Sequence, residues 1–517
     1  MIDMVSNPNY NSSLVMRADV IWDSEDTSTA RATAAATRFE GEDTIPRFVS
    51  VKGYRLTRRM VRRFIPRNPQ LDGYLCQSCL FYRKEEDNES REGAGESSLV
   101  IYLPHASTPT SIPFYHPPVE GVAFLHHPSK PTSTADGSLN YTISIHHLPF
   151  PLTPTPTSTQ PTNPNRLPRI LHHLLSTLAT HGRGLLTGYI KRVHHDQLIP
   201  RPTLQDTYLS LKAAHSHRLV TSWAESTDPR KHVFEDLLIA AFLIEWWGRI
   251  YYRPEEQLEG GGGGRRPWVG FVDVGCGNGV LVDVLRREGW CGWGFDARRR
   301  KSWEVLMPHA SSTTVEEPWL KEMLLIPSLL LPSDGDSDNG CGSNGDLKGV
   351  TTHNGIFPPH TFLISNHSDQ LTGWAPLLAA LSNCPFIAIP CCSYNLSGDK
   401  FRAPAPSSSP STSTPPQTAP KPSGGSAYAA LCAWTENLAE RTGWVVEKEV
   451  LRIPSTRNIA ILGRKRMVLE EEEEEGEGVE ERVRRVLREE GGGAGWVEKC
   501  IGLVKGGGGG GQVSLSH

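Results

Sequence analysis

Apolar and polar positions alternate in short runs from about residue 46 to 152, and recur at helical spacing beyond. The runs FVSVKGYRL, SLVIYL, GVAFLHH and YTISIHHL have strand-like composition and are separated by Pro, Ser, Asp and Gly. They predict a β-rich N-terminal domain over 46–152. Residues 1–45 are rich in Ser, Thr and Ala without a sustained period, and are expected to be disordered. Over 153–259 a Pro/Thr linker (TPTPTSTQPTNPN) leads into helical spacing at 170–178 and 204–214. DPRKHVFEDLLIAAFLIEWWGRIYY follows, where Asp228 and Pro229 supply an N-cap and a first-turn proline for a long helix. The segment 153–259 therefore reads as a linker and helical connector.

Over 260–466 the period switches repeatedly. Strands are predicted at 269–274, 291–295, 361–365 and 386–389, with helices at 280–287, 371–381 and 427–441 and a closing strand pair near 445–452 and 458–463. Alternating β and α predicts a parallel sheet covered by helices, with an antiparallel edge. The glycine run at 260–264 reads as a joint, and the Gly/Ser/Pro-rich inserts 333–349 and 404–425 as surface loops. Residues 467–517, acidic and then glycine-rich, are expected to form a charged helix or disordered tail outside the sheet.

The length of 517 residues allows two or three domains, while 48 Gly and 40 Pro imply that the folded part is smaller than the chain. No basic, apolar leader pattern opens the sequence, and the longest apolar stretch, 237–252, is broken by Glu245 and Arg249. A soluble, intracellular protein with no membrane contact and no obligate protein partner is expected. The cysteines, among them the adjacent Cys391 and Cys392, do not form a disulfide framework pattern. The net charge of −4 hides an asymmetry: the tail after Arg466 carries −6, leaving +2 on a body with local basic clusters.

The most specific signal is FVDVGCGNGVLVDVL, a buried strand, a three-glycine turn and a helix in sequence. Gly275, Gly277 and Gly279 allow close backbone approach to a ligand at the helix N-terminus, with Cys276 and Asn278 between them. Asp273 sits where a carboxylate meets an amino group. A dinucleotide fingerprint wants Gly or Ala at the position of Val280, so the spacing favours S-adenosylmethionine (AdoMet) over NAD. Asp296 ends the next strand, where an acid accepts hydrogen bonds from ribose hydroxyls. The fold class expected is α/β, a Rossmann-like class I AdoMet methyltransferase sheet.

Downstream, GFDARRRKSWEVL, LISNHSDQLTGWAPLLAA, FIAIPCCSYNLSGDKF and LRIPSTRNIAILGRKR occur in order. With YIKRVHHDQLIPRPTLQDTYLSLK and TDPRKHVFEDLLIAAFLI upstream, they resemble the tRNA (uracil-2'-O-)-methyltransferase family. The resemblance implies AdoMet-dependent methylation of a uridine ribose just before the variable loop of serine tRNA, at position 44, in the cytoplasm. It implies cofactor contacts at Asp273, Gly275, Gly277 and Asp296, and a loop facing the transferred methyl at Asn366, His367, Ser368 and Asp369.

Methyl transfer from a sulfonium needs in-line positioning and one proton acceptor. The loop after residue 365 leaves the C-terminal end of a strand, where open α/β sheets bind ligands, so His367 or Asp369 is placed to accept the hydroxyl proton. The bland alternative is a helix cap at Asp369 and a hydrogen-bonded histidine. Candidate RNA contacts are Arg298, Arg299, Arg300 and Lys301, then Arg452 and Arg457 in a cluster that also holds Arg464, Lys465 and Arg466, and a third run from Arg55 to Arg67. Cys76 and Cys79 form a lone CxxC; with Cys391 and Cys392 it offers a weak zinc pattern, and buried thiols with no metal are the expectation. His194, His195 and Asp196 read as a structural or RNA-contacting turn. The competing functions are a methyltransferase with another RNA or protein acceptor, and a non-catalytic tRNA-binding protein with this fold.

Overall fold

The computed structural model describes residues 5, 7–8, 12–25, 44–85, 97–128, 141–151, 165–190, 193–252, 266–307, 317–331, 350–404, 426–467 and 478–505. They fall into two units, Met1–Lys191 and Arg192–His517. The glycine joint at 260–264 and the insert 333–349 lie outside the described residues, as does all but the first residue of 404–425.

The first unit is a six-stranded antiparallel meander of β1 (Val15–Asp23), β2 (Tyr54–Pro66), β3 (Leu75–Lys84), β4 (Ser98–Pro104), β5 (Gly121–Pro128) and β6 (Tyr141–Leu148), followed by helix α1 (Arg166–Leu186). Leu167, Leu171, Leu174 and Leu178 of α1 pack on a core with Val122, Phe124, Ile143 and Ile145. Three expectations are corrected here. Within the span 1–45, expected to be disordered, Val15–Asp23 form β1, which pairs along β2; its mixed composition hid a strand that is defined by its partner. The connector 153–259 divides, since α1 packs on the first sheet and the later helices belong to the second unit. The basic run from Arg55 is the strand β2 itself: Arg58 pairs with Asp23 at 2.5 Å, and Arg62 is buried against Gln77 Oε1 at 2.7 and 3.0 Å.

The second unit opens with α2 (Arg201–Thr221) and α3 (Pro229–Ile250), then runs β7 (Phe271–Val274), α4 (Val280–Arg287), β8 (Gly292–Asp296), α5 (Ser302–Leu306), β9 (Leu320–Glu322), β10 (Phe362–Asn366), α6 (Trp374–Leu381), β11 (Phe386–Ile389), α7 (Ala427–Arg441), β12 (Trp444–Val450) and β13 (Ile459–Arg466). The seven strands lie in the order β9-β8-β7-β10-β11-β13-β12, all parallel except β13. Strand order reverses between β7 and β10, which opens a crevice at their C-terminal ends. Near-continuous apolar strands such as FVDV and FIAI are buried on both faces. One face packs on α2, α3 and α4, the other on α6 and α7.

Asp228 caps α3, accepting from the Arg230 amide at 3.0 Å. Trp247 then anchors the helix among Trp268, Phe271, Trp290 and Phe362. Arg218 of α2 and Arg287 clamp the fully buried Asp283 of α4 at 2.5 and 2.9 Å, which fixes the helix that follows the glycine turn. The expected free tail is also corrected. α8 (Val479–Glu489) and α9 (Trp496–Lys505) bury Val483, Val486, Leu487, Trp496 and Cys500 in the second core.

Candidate active site

The glycine turn is held from below and open from above. Trp303 Nε1 donates to the Gly277 carbonyl at 2.9 Å and Ser302 Oγ to that of Asn278 at 2.7 Å. Asn278 Oδ1 accepts from the Val280 amide at 2.8 Å, which tightens the turn into α4. Gly277 has φ +51, and a Cβ there would meet nothing within 4 Å; Gly279 (φ +78) would drive one into Leu320 at 2.6 Å. Gly275 and Gly277 therefore face the crevice, whereas Gly279 and the buried Cys276, packed beneath Gly294, shape the turn from inside. Asp296 Oδ2 accepts from the Gly277 amide and Oδ1 from the Arg298 amide, both at 3.1 Å, which ties the next strand end to the turn.

Gly275, Gly277, Asp296, Arg298 and Arg300 form one wall of a cleft of about 240 Å³. The opposite wall is His367, Ser368, Asp369, Gln370 and Leu371, and Trp496, Cys500 and Leu503 of α9 contribute as well. His367 and Asp369 both have φ +50, an uncommon conformation for residues other than glycine. His367 Nε2 pairs with Glu235 of α3 at 3.1 Å, and Asn366 Nδ2 donates to Asp236 at 3.4 Å. Asp369, exposed at the rim, accepts from Cys391 Sγ at 3.1 Å.

Glu235 and Asp236 were not singled out from the sequence. The signal was present: Asp236 lies three and four residues from Val233 and Ala240, on the apolar face of α3, where an ionisable group is out of place. Burial, then the charge of Glu235, raises the Asp236 carboxyl to about 7, against hydrogen bonds from Asn278 and Asn366. Burial holds Asp273 well above the usual carboxylate range, reinforced by Asp236 and Asp296.

Two family models match the chain: "TRM44-like, N-terminal bet v1-like domain" over residues 1–192 and "Predicted AdoMet-dependent methyltransferase" over 198–319. A tRNA (uracil-O(2)-)-methyltransferase of Neurospora crassa is 42% identical over 98% of this chain and 89% of its own length. Proteins of the same name from Yarrowia lipolytica (36%, covering 97% and 91%) and Saccharomyces cerevisiae (33%, covering 98% and 89%) are similar along their lengths too. The chain belongs to the tRNA (uracil-O(2)-)-methyltransferase family. No solved structure matches it.

AdoMet is the cofactor of the family's methyltransferase domain, and the residues at the crevice fit it. The open Gly277 leaves room for a ligand against the backbone. Asp273 Oδ1 is buried with no hydrogen-bond partner among the described residues, an acceptor waiting for a donor.

The basic residues separate into two groups. Arg298, Arg299 and Lys301 are exposed beside the cleft and Arg300 reaches Asp296 at 3.6 Å. Arg457 lies over the Tyr428 ring, near Cys392. Arg452, expected to contact RNA, instead grips Asp196 with two hydrogen bonds of 2.5 and 2.7 Å, while His195 pairs with the Val450 carbonyl at 2.6 Å. The His-His-Asp turn is thereby pinned to the sheet edge, and Arg452 is committed to that pin. Arg464 to Arg466 sit at the opposite end of the sheet from the glycine turn, because β13 runs antiparallel.

Cys76 and Cys79 are buried in β3, and burial pushes the Cys79 thiol up to about 11. Among the described residues the ligand atoms that come together are those of Asp369, Cys391 and Cys392, within 4.8 Å of one another. Contacts with Cys392 and Asp369 keep the Cys391 thiol protonated.

Proposed function

We propose that this protein transfers the methyl group of AdoMet to the ribose 2'-hydroxyl of a uridine in tRNA, with position 44 of serine tRNA as the acceptor, in the cytoplasm. The observation that carries the reading is the convergence of the glycine turn and the 366–369 loop on one crevice, in a chain similar throughout to enzymes of that name. The strand order around the β7/β10 reversal supports a Rossmann-like class I methyltransferase sheet.

The cofactor, when bound, supplies a methyl group activated on a sulfonium. The chain supplies position and a proton acceptor. Asp296 offers carboxylate oxygens at the strand end for ribose hydroxyls. His367 is the proton acceptor: it faces the cleft, and Glu235 orients its ring. Asp369 shapes the rim by holding Cys391. Arg298, Arg299 and Lys301 meet tRNA phosphates.

Labelled methyl transfer to a serine-tRNA transcript tests this. His367→Ala should lower kcat by about 10²-fold or more with little change in KM, whereas Asp369→Asn should stay within a few fold of wild type. A much larger loss in Asp369→Asn would move the acceptor role there. Equal methylation of tRNAs with short variable loops would remove the serine assignment.

A further inference from the structure

Behind the glycine turn, buried beneath the residues that line the cleft, lies a group of side chains rich in acceptors and poor in donors. Asp236 receives the Asn366 amide and a hydrogen bond from Asn278 of the turn. Asp273 Oδ1 and Asn366 Oδ1 are buried without hydrogen-bond partners among the described residues. Among the described residues, the charged groups that act on Asp236 and Asp273 are other acids: Glu235 on Asp236, and Asp236 and Asp296 on Asp273. Two carboxyls and an amide oxygen converging in a buried site are costly unless a positively charged group with several N–H donors completes them.

We propose that Asp236 is a cofactor-binding residue: with Asp273 and Asn366 Oδ1 it holds the α-ammonium of the cofactor's methionyl arm, which extends the AdoMet site onto α3, outside the glycine-turn motif. The assignment rests on the AdoMet reading above, and it places Asn366 at the cofactor. His367 and Glu235 remain free for the acceptor.

A proton linkage follows from the surroundings of Asp236. The groups that face it are Glu235 on its own helix, Asp273 from β7, Asn278 from the turn and Asn366 from the end of β10, while His367 is paired with Glu235 beside it. With its carboxyl raised to about 7 by burial and by Glu235, Asp236 retains a proton further toward neutral pH than an ordinary carboxyl does. An ammonium ion beside it favours the carboxylate, so ligand binding expels a proton into solvent.

Titration calorimetry on the full chain separates this role from others. S-adenosylhomocysteine carries the ammonium, and 5'-methylthioadenosine carries the adenosine end without it. Asp236→Asn should weaken S-adenosylhomocysteine by about tenfold or more while leaving 5'-methylthioadenosine within about twofold. Comparing buffers of different ionisation heat at pH 7, the wild type should release part of a proton on binding S-adenosylhomocysteine, and Asp236→Asn should release less. Asn366→Ala should show the same ligand selectivity if Asp236→Asn fails to fold. Unchanged S-adenosylhomocysteine affinity would overturn the assignment, as would an equal loss for both ligands, which marks a purely structural role. A wild-type protein that binds neither ligand would contradict the AdoMet reading itself.

Discussion

Four acids gather around the glycine turn: Asp273 of β7, Asp296 at the end of β8, and Glu235 and Asp236 of α3. The local motif of strand, turn and strand end fixes the place of Asp273 and Asp296 in the fold without knowledge of the rest of the chain. Glu235 and Asp236 act across more than a hundred residues of sequence, on Asn366 and His367, and only the packing of α3 on the sheet makes that contact. Arg452 erred in the other direction: its charge suggested RNA, but Asp196, 256 residues away, takes its guanidinium.

Asp296→Ala should weaken AdoMet binding by about 1.5–3 kcal/mol, the range for hydrogen bonds to a charged acceptor; calorimetry that shows no change would remove Asp296 from the site. Asp236 should also shape stability. Its carboxyl has an ordinary value of 3.8 and is raised to about 7 in the fold, so between those pH values unfolding releases a proton that the native state retains. Its contribution to the free enzyme therefore declines as pH rises from about 4 to 7. Asp236→Asn should flatten that decline and raise the melting temperature of the cofactor-free protein at pH 7, while weakening the cofactor. A variant with the same pH–melting profile as wild type would refute the burial argument.

At the scale of elements, periodicity located the sheet strands and helices around the glycine turn to within a few residues, because each buries a recognisable face. It missed β9, three residues long, and β1, whose pairing with β2 defines it. It also misjudged the tail, where poly-Glu and poly-Gly surround VEERVRRVLRE. That segment places Val483, Val486 and Leu487 at the i, i+3, i+4 spacing of a packed helix. Trp496 then packs at a tilt against Trp374 and donates to the Leu325 carbonyl at 2.8 Å. Each of these side chains contributes about 1.5–3 kcal/mol by burial. Deleting residues 468–517 should accordingly lower the melting temperature sharply and impair AdoMet binding; a truncated protein with wild-type melting and affinity would return the tail to the solvent.

Across the methyltransferase unit, positive charge occupies both ends of the sheet. Arg298, Arg299 and Lys301 stand beside the cleft, while Arg464, Lys465 and Arg466 border a groove of about 880 Å³ at the far end with Arg249 and Arg266. Arg464 is already paired with Glu447 at 2.8 Å, and Arg466 lies over Trp444. The cleft group is thus the one assigned to substrate phosphates. Replacing Arg298 and Lys301 with Ala should raise the KM for tRNA and reduce the salt slope by about 1 for each phosphate no longer neutralised, with AdoMet affinity unchanged. Lys465→Ala should leave both near wild type, and a larger effect from Lys465 would place the tRNA at the other end of the sheet.

The identity of the methylated atom decides the function most directly. The purified protein should be incubated with serine tRNA and AdoMet bearing a deuterated methyl group, and the alkaline hydrolysate and nuclease digest analysed by mass spectrometry. The label should appear on 2'-O-methyluridine, recovered from alkali as an uncleaved dinucleotide, at a single position next to the variable loop. Label on a base, or an unlabelled tRNA from protein that binds AdoMet and tRNA normally, would contradict transfer to the ribose.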